Sequence, residues 1–277
     1  MGTEWKNKEY YETLYDGEYM SSYNDDVWEY SRAKVIQIML KRILLRKTIR
    51  SVCDFGCGRG RTLELLVPLL SKEVEVWGVD ISEKAIQHCK QRIHGNFLSE
   101  DISTISLSRT FDLVINSEVL EHVQKVEPVI ANISRHMAPG GVLLMTTPCA
   151  NPLSADWIED RISGGPLSTM DGYVLFKISD PPEHLRRLTS TDVHQLFQKY
   201  GVKMNIYFSS HWVEHFTQKA LMRGIPWMNS HIPGFWRVFR QTNWVKFFGE
   251  IGRVDWFLFR RLPFGSGMIG IGRKFKS

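Results

Sequence analysis

Apolar residues along this chain recur with two periods, and the periods alternate. Residues 28–47, WEYSRAKVIQIMLKRILLRK, put Val35, Ile36, Met39, Leu40 and Ile43 at helical spacing, which predicts an amphipathic helix. SVCDF (51–55) is a short continuous apolar run, read as a buried strand, and GRTLELLVPLL starts a helix behind it. The same strand-then-helix rhythm continues with VEVWGVDI and SEKAIQHCKQRI. FDLVINS is the next strand, and EVLEHV through VIANISRHM reads as helical with a break near Pro128. APGG reads as a turn and VLLMTTP as a strand. Continuous apolar strands alternating with helices predict an α/β fold, a doubly wound parallel sheet covered on both faces. Such sheets bind ligands at the carboxyl ends of their strands.

After Pro148 the rhythm breaks. Residues 149–183, rich in Pro, Gly, Ser and Asp, read as a long loop or lid. TSTDVHQLFQKYG is a helix with Thr189 or Ser190 as N-cap, Asp192 in its first turn and Gly201 at its end. VKMNIYFSS and SGMIGIGRKF are the last two predicted strands. More than fifty residues, about 211–265, separate them and carry Trp212, Trp227, Trp236, Trp244 and Trp256. A hairpin connection is usually two to five residues. The boundaries that follow are an N-terminal helical cap over 1–48, a Rossmann-like core over 49–210, an aromatic and basic lid over 211–265, and a final core strand over 266–277.

The chain's 277 residues can bury a sizeable core. No apolar run approaches the roughly 18 residues of a membrane span. The polar, aromatic N-terminus MGTEWKNKEYYETLYDGEY has no signal-peptide core, and Cys53, Cys57, Cys89 and Cys149 form no CxxC pair. Both features predict a cytoplasmic protein with reduced thiols. Charge is uneven. From Gly201 onward, twelve Lys/Arg stand against Glu214, Glu250 and Asp255, a balance of +9, while the whole chain carries +5. An anionic partner for this part, or simply a solvated basic face, accounts for it.

The candidate chemistry starts at SVCDFGCGRGRT (51–62). A strand, glycines and a helix start present free backbone N–H groups to a ligand. The absence of Gly-Lys-Ser/Thr excludes a P-loop, and the spacing Gly56-x-Gly58-x-Gly60 is not that of the dinucleotide fingerprint. Asp80 ends the next strand, where a carboxylate can accept both hydroxyls of a ribose.

VCDFGCGRGRT, VWGVDIS, SEDI, FDLVINSEVLEHV and MAPGGVLLMTTP, in this order, resemble the motifs of class I S-adenosylmethionine-dependent methyltransferases, over about residues 30–205. The small-molecule type is closest in kind, similar to the ubiquinone-biosynthesis O-methyltransferase group. The resemblance implies a seven-stranded sheet whose last strand runs antiparallel, and S-adenosyl-L-methionine as cofactor. It further implies that Asp54 orients the methionine amino group, that Gly56, Cys57 and Gly58 pass the methionyl part, and that Asp80 holds the ribose. Ile81 would pack on the adenine, Asp101 and Ile102 would meet its edge, and Ser117 would lie near the methionine moiety. Arg32 resembles an arginine that pairs the cofactor carboxylate.

A hydroxyl or amine acceptor must lose a proton, which invites a general base. Glu118, Glu121 and His122 stand at i, i+3 and i+4, so a helix would present all three on one face. Such a face suits a metal ion, and it resembles the Glu-x-x-Glu-His of ubiquinone and small-RNA methyltransferases. The same letters also occur where the histidine is a base or a loop support. Glu121, His122 and His184 are the catalytic candidates, with no metal expected. His184 lies in EHLRRLTSTDVHQLF, which resembles a His-x-Arg-x-Thr/Ser stretch of small-molecule members. Asp180-Pro-Pro is a decoy, because NSEV occupies the place where nucleic-acid amino-methyltransferases carry that motif.

The interleaved Trp, Phe and Arg of residues 211–265 fit three roles: a helical lid, a peripheral membrane contact, or a platform for single-stranded nucleic acid. Similar insertions ending in RLP occur in bacterial methyltransferases of glycan, lipid and natural-product pathways. The expected activity is methyl transfer to an oxygen or nitrogen of a small acceptor, lipid- or glycan-linked among the options, and nucleic acid is not the expected partner. The alternatives are a metal-assisted RNA 2′-O-methyltransferase and an inactive cofactor-binding partner subunit.

Overall fold

A computed structural model describes residues 8–15, 27–162, 168–170, 173–175, 184–209, 231 and 244–275. The chain opens with α1 (Lys8–Leu14) and α2 (Val27–Leu44). The alternating part runs β1 (Ser51–Phe55), α3 (Arg61–Leu66), a 3-10 turn (Val67–Leu69), β2 (Glu75–Asp80), α4 (Glu83–Arg92) and β3 (Asn96–Ser99). It continues with β4 (Phe111–Ser117), α5 (Val126–His136) and β5 (Met137–Pro148). Then come α6 (Ala155–Ile162), a small hairpin of β6 (Ser168–Met170) and β7 (Tyr173–Leu175), α7 (Ser190–Lys199), β8 (Val202–Ser209), α8 (Trp244–Phe259) and β9 (Gly267–Lys274).

The seven-stranded sheet has the order β3-β2-β1-β4-β5-β9-β8. β9 is antiparallel to both neighbours, and the first five strands are parallel. This is the expected Rossmann-like architecture, with the chain reversing direction at β1 and β4 and so opening a crevice at their carboxyl ends. The pleat sorts each strand's apolar residues between two cores. Val52, Leu113, Ile115, Val142 and Leu144 face α2, α3, α4 and Trp256 of α8. Cys53, Val114, Leu143 and Met145 face α5 and α7. All five predicted residues of α2 are buried.

Three readings change. Residues 118–125 form turns, and the helix begins only at Val126, with Pro128 inside its first turn. Proline is tolerated there because that N–H has no helical acceptor anyway. APGG is not a free turn but the opening of β5, where Met137 pairs with Phe111 before the register shifts. The segments forming α1, β3, α6, β6 and β7 carried no strong period and were not expected as elements. The capping of α7 is as read: Thr189 accepts from the Asp192 N–H while Asp192 accepts from the Thr189 N–H. Gly201 then closes the helix at φ +74°. Of the 211–265 lid, residues 211–230 and 232–243, with Trp212, Trp227 and Trp236, lie outside the described residues, as do Asp180, Pro181 and Pro182. Trp256 is a core residue, 1% exposed. Among the described residues, no helix is long and apolar enough to cross a membrane.

Candidate active site

The crevice is built by the loops after β1, β2 and β4. Gly56 and Cys57 donate their N–H groups to Val79 O (2.8 and 3.0 Å), which stitches the glycine loop to the end of β2. Gly56 adopts φ +85° and a side chain there would run into Val119, so the loop needs glycine on both counts. Asp80 accepts from Gly58 N–H (2.8 Å) and Ser82 N–H (3.0 Å), and these bonds fix its carboxylate beside the loop. Its carboxyl is nevertheless raised above the ordinary value, chiefly by burial. Ile81 lies half-buried behind it, with its carbonyl held by the Ser99 hydroxyl.

Asp54 is the most informative group. It is 2% exposed, and its Oδ1 is buried without a hydrogen-bond partner. Burial, then the nearby Asp80 charge, push its carboxyl up to about 7. An orphaned buried carboxylate oxygen is costly unless a ligand completes it. A donor carrying an ammonium and a sulfonium would fit these residues, with the cation at Asp54, the ribose hydroxyls at Asp80, and the glycines allowing close backbone approach. Asp101 turns back to cap its own loop, accepting from Ser103 N–H (2.7 Å). Ile102, expected at the adenine edge, is only 8% exposed and belongs to the core beneath that loop.

After β4 the chain turns sharply. Glu118 adopts φ +54°, rare for a residue with a side chain, and its N–H bonds to Thr146 O (2.9 Å). Ser117 Oγ meets Thr146 Oγ1 at 2.8 Å. Because 118–125 is not helical, Glu118, Glu121 and His122 do not share a face. Glu118 turns to Arg32 of α2 (3.0 Å), which also holds Glu29 (2.6 Å). Arg32, expected to pair a cofactor carboxylate, stands here beside the turn after β4 with two protein carboxylates on it.

Glu121 and His122 stay together and are joined by His184. One ligand-type atom from each of the three lies within 4.8 Å of the others. Glu121 is buried, receives the Thr147 hydroxyl (3.0 Å) on Oε2, and has Oε1 at 3.8 Å from His122 Nε2. Burial and the Glu118 charge raise its carboxyl well above the ordinary value. The His122 and His184 rings meet edge to face, centroids 4.9 Å apart. His184 is brought here by the next residues. Leu185 N–H bonds to Glu121 O (2.8 Å), and the fully buried Arg186 donates to Val123 O and to Gln124 O (2.8 Å). One arginine thus locks the histidine-bearing segment onto the turn after β4.

α1 contributes what the sequence reading overlooked. The Tyr11 ring stands 6.5 Å from the His122 ring. Tyr15 reaches the glycine loop, where its hydroxyl would lie 2.9 Å from a Cβ on Gly58, and Arg59 donates to Tyr15 O (2.5 Å). Between them Glu12 accepts from Glu83 N–H (2.5 Å) and Lys84 N–H (3.2 Å), capping α4. Tyr11 and Tyr15 sit one helical turn apart in KEYYETLY, and that spacing was the available signal.

A family model described as a methyltransferase domain matches residues 27–205. The ubiquinone biosynthesis O-methyltransferase of Rickettsia typhi is 30% identical over 101 residues, 35% of this chain and 40% of that protein. The malonyl-[acyl-carrier protein] O-methyltransferase of Bacillus anthracis is 29% identical over 110 residues, 39% of this chain and 40% of that protein. The matched stretches thus span about 40% of the length of these two relatives. Among solved structures, an O-methyltransferase from a trans-AT PKS multienzyme of Brevibacillus brevis, in complex with S-adenosyl-L-homocysteine, overlays with TM-score 0.55 at 15% identity, covering 88% of this chain and 72% of that one. The magnesium protoporphyrin IX methyltransferase of Synechocystis overlays with TM-score 0.55 at 16% identity over 74% of this chain and 92% of that one. The structural likeness is one of fold. The family match covers most of the chain and includes the glycine loop, Asp54, Asp80 and the Glu121–His122 turn: this chain belongs to the methyltransferase-domain family.

Proposed function

We propose that this chain is an S-adenosylmethionine-dependent methyltransferase acting on a hydroxyl of a small acceptor. The observation that carries the donor is the orphaned Asp54 oxygen, placed between a glycine loop and the ribose-type carboxylate Asp80. S-adenosylmethionine supplies a methyl group on a sulfonium, an already activated electrophile, so the protein's work is to hold donor and acceptor in line and exclude water. Asp54 binds the amino group, Asp80 the ribose, and α1 closes over both through Tyr15 and Glu12.

The acceptor reading rests on Glu121, His122 and His184. A hydroxyl attacking the methyl carbon forms a C–O bond as the S–C bond breaks, and the hydroxyl proton must leave. His122 or His184, half-buried at the crevice mouth, takes that proton, with Glu121 Oε1 3.8 Å from His122 Nε2 to hold that ring in place. An amine acceptor also sheds a proton, but after transfer and to water. The imidazole pair is therefore worth most to an oxygen acceptor, including one on a lipid- or glycan-linked molecule. The likeness to relatives named O-methyltransferases supports the same choice.

The test is calorimetric titration with S-adenosylmethionine, followed by methyl transfer to a panel of phenols, alcohols and carboxylic acids. Binding lost in Asp80→Ala, together with turnover of at least one hydroxyl, supports the reading. Unchanged affinity in Asp80→Ala overturns the donor assignment.

A further inference from the structure

Away from the crevice, on the face of β5, β9 and β8 that carries α2, lies a cleft of about 150 Å³. Arg42 of α2, Arg46 of the turn that follows it and Arg273 of β9 line it, over an apolar floor that includes Ile43, Val142 and Ile271. All three arginines are exposed, and among the described residues Arg46 and Arg273 make no ion pair. Three guanidinium groups around an apolar floor make an anion site with room for carbon beside the charge.

Beside the cleft, α2 meets α8, whose far side is exposed and apolar. The Arg42 guanidinium stands over the ring of Trp256, 5.8 Å from its centroid, and Trp256 is the residue by which α8 enters the core. α8 buries Gly249, Gly252 and Trp256, with Gly249 against Tyr30 of α2. Its opposite side presents Val254 (49% exposed), Phe257 (57%) and Leu258 (63%). Leu45, between Arg42 and Arg46 at the end of α2, is 86% exposed. Lys246 and Arg261 flank this face, its Glu250 is taken by Arg253, and Asp255 is buried. An apolar face edged by cations is the pattern of a helix lying in a membrane interface.

We infer that the outer face of α8, with Leu45 and the Arg42–Arg46–Arg273 cleft, docks on an anionic phospholipid surface, the cleft taking a headgroup phosphate while Phe257 and Leu258 enter the acyl boundary. Charge and apolarity together select this occupant: the exposed cations Arg42, Arg46, Arg273, Lys246 and Arg261 attract an anionic bilayer, and the exposed Phe257 and Leu258 suit its acyl boundary rather than a hydrated acidic protein surface. Docking would place a methyltransferase next to acceptors dissolved in the membrane, and in that respect it extends the proposed function.

The test is flotation of the full chain with phosphatidylglycerol vesicles and with phosphatidylcholine vesicles, alongside calorimetry with S-adenosylmethionine. Expected is binding to the anionic vesicles, weakened roughly thirtyfold in the Arg46→Ala/Arg273→Ala double variant, because each cation near such a surface is worth about 1 kcal/mol. Phe257→Ser/Leu258→Ser, at exposed positions, should also detach the protein while its melting temperature and cofactor affinity stay unchanged. No flotation with phosphatidylglycerol overturns the inference, and so does flotation indifferent to both double variants. Flotation lost with the arginines but kept in Phe257→Ser/Leu258→Ser, and abolished by millimolar inorganic phosphate, would make the cleft a soluble-anion site and also overturn it. Cofactor binding that persists when flotation fails separates this failure from failure of the proposed function.

Discussion

His122 and His184 meet edge to face with centroids 4.9 Å apart, one from the turn after β4 and the other from the segment before α7. The buried Glu121 lies against the first of them. If this group takes the acceptor's proton, its loss must appear in turnover and not in donor binding. His122→Ala and His184→Ala should each lower kcat by roughly 10²–10⁴-fold, the usual range for a general base. The dissociation constant for S-adenosylmethionine should change by less than about threefold, measured by calorimetry. Equal loss of donor affinity would show that the histidines organise the crevice instead.

Removing the charge of Asp54 should have the opposite signature. Asp54→Asn keeps the shape but cannot pair a cation. A hydrogen bond to a charged group contributes about 1.5–3 kcal/mol, so donor affinity should fall roughly 10–150-fold in calorimetry. The apo protein should lose nothing in stability, since the variant no longer buries a charge.

The pH dependence follows from the same residue. The Asp54 carboxyl sits at about 7, chiefly through burial and then through Asp80, against 3.8 for an ordinary aspartate. Below about pH 7 it is protonated and cannot pair the donor's ammonium, so affinity should rise with pH through 7 and level off above about 8. The free protein runs the other way. A carboxyl raised in the folded state binds its proton more tightly there than in the unfolded chain, so its stability contribution is full below about pH 4 and is lost as pH rises through 7. Thermal shift by S-adenosylmethionine should therefore be larger at pH 8 than at pH 6; an equal shift would detach Asp54 from the ligand.

Tyr15 and Glu12 test the closure by α1. Glu12→Gln weakens the cap on α4, and Tyr15→Ala removes the side chain lying on Gly58. Each should raise the apparent KM for S-adenosylmethionine several-fold, with Tyr15→Phe near wild type if the ring rather than the hydroxyl does the covering. Protease nicking within α1, suppressed by the donor in wild type only, is the independent readout.

Arg186 should behave as a structural residue. It is fully buried and its guanidinium serves the carbonyls of Val123 and Gln124. Arg186→Leu leaves these acceptors without their donor, at about 1–3 kcal/mol each if no water replaces it. The melting temperature should fall, and lowered kcat should accompany it because the clamp sets the position of His184. Unchanged melting with lost activity would make Arg186 a direct contributor to the site.

The core was legible in the sequence because its signals are local. Val35 to Ile43 repeat at 3.6 residues, β1 and β4 are unbroken apolar runs, and Asp54 and Asp80 stand at strand ends whatever the packing does. The same locality limits what could be read. Glu118, Glu121 and His122 have helical spacing, yet the chain has to reverse after β4, and Glu118 at φ +54° absorbs that reversal instead of starting a helix. The spacing was real but the backbone was not free to use it. His184 joined Glu121 only through the Leu185 and Arg186 bonds to a turn far away in the chain, and no period records such a contact. α1 is too short for a period to declare it, and its tyrosines acquire meaning only once the glycine loop and His122 are set beneath them. By itself, then, the sequence determined the strand–glycine–acid apparatus for the donor, because strand ends and glycine turns are written residue by residue. Only the tertiary structure brought Tyr11, the Glu121–His122 turn and His184 together, because side chains from three separated segments converge there and long-range packing overrides local preference.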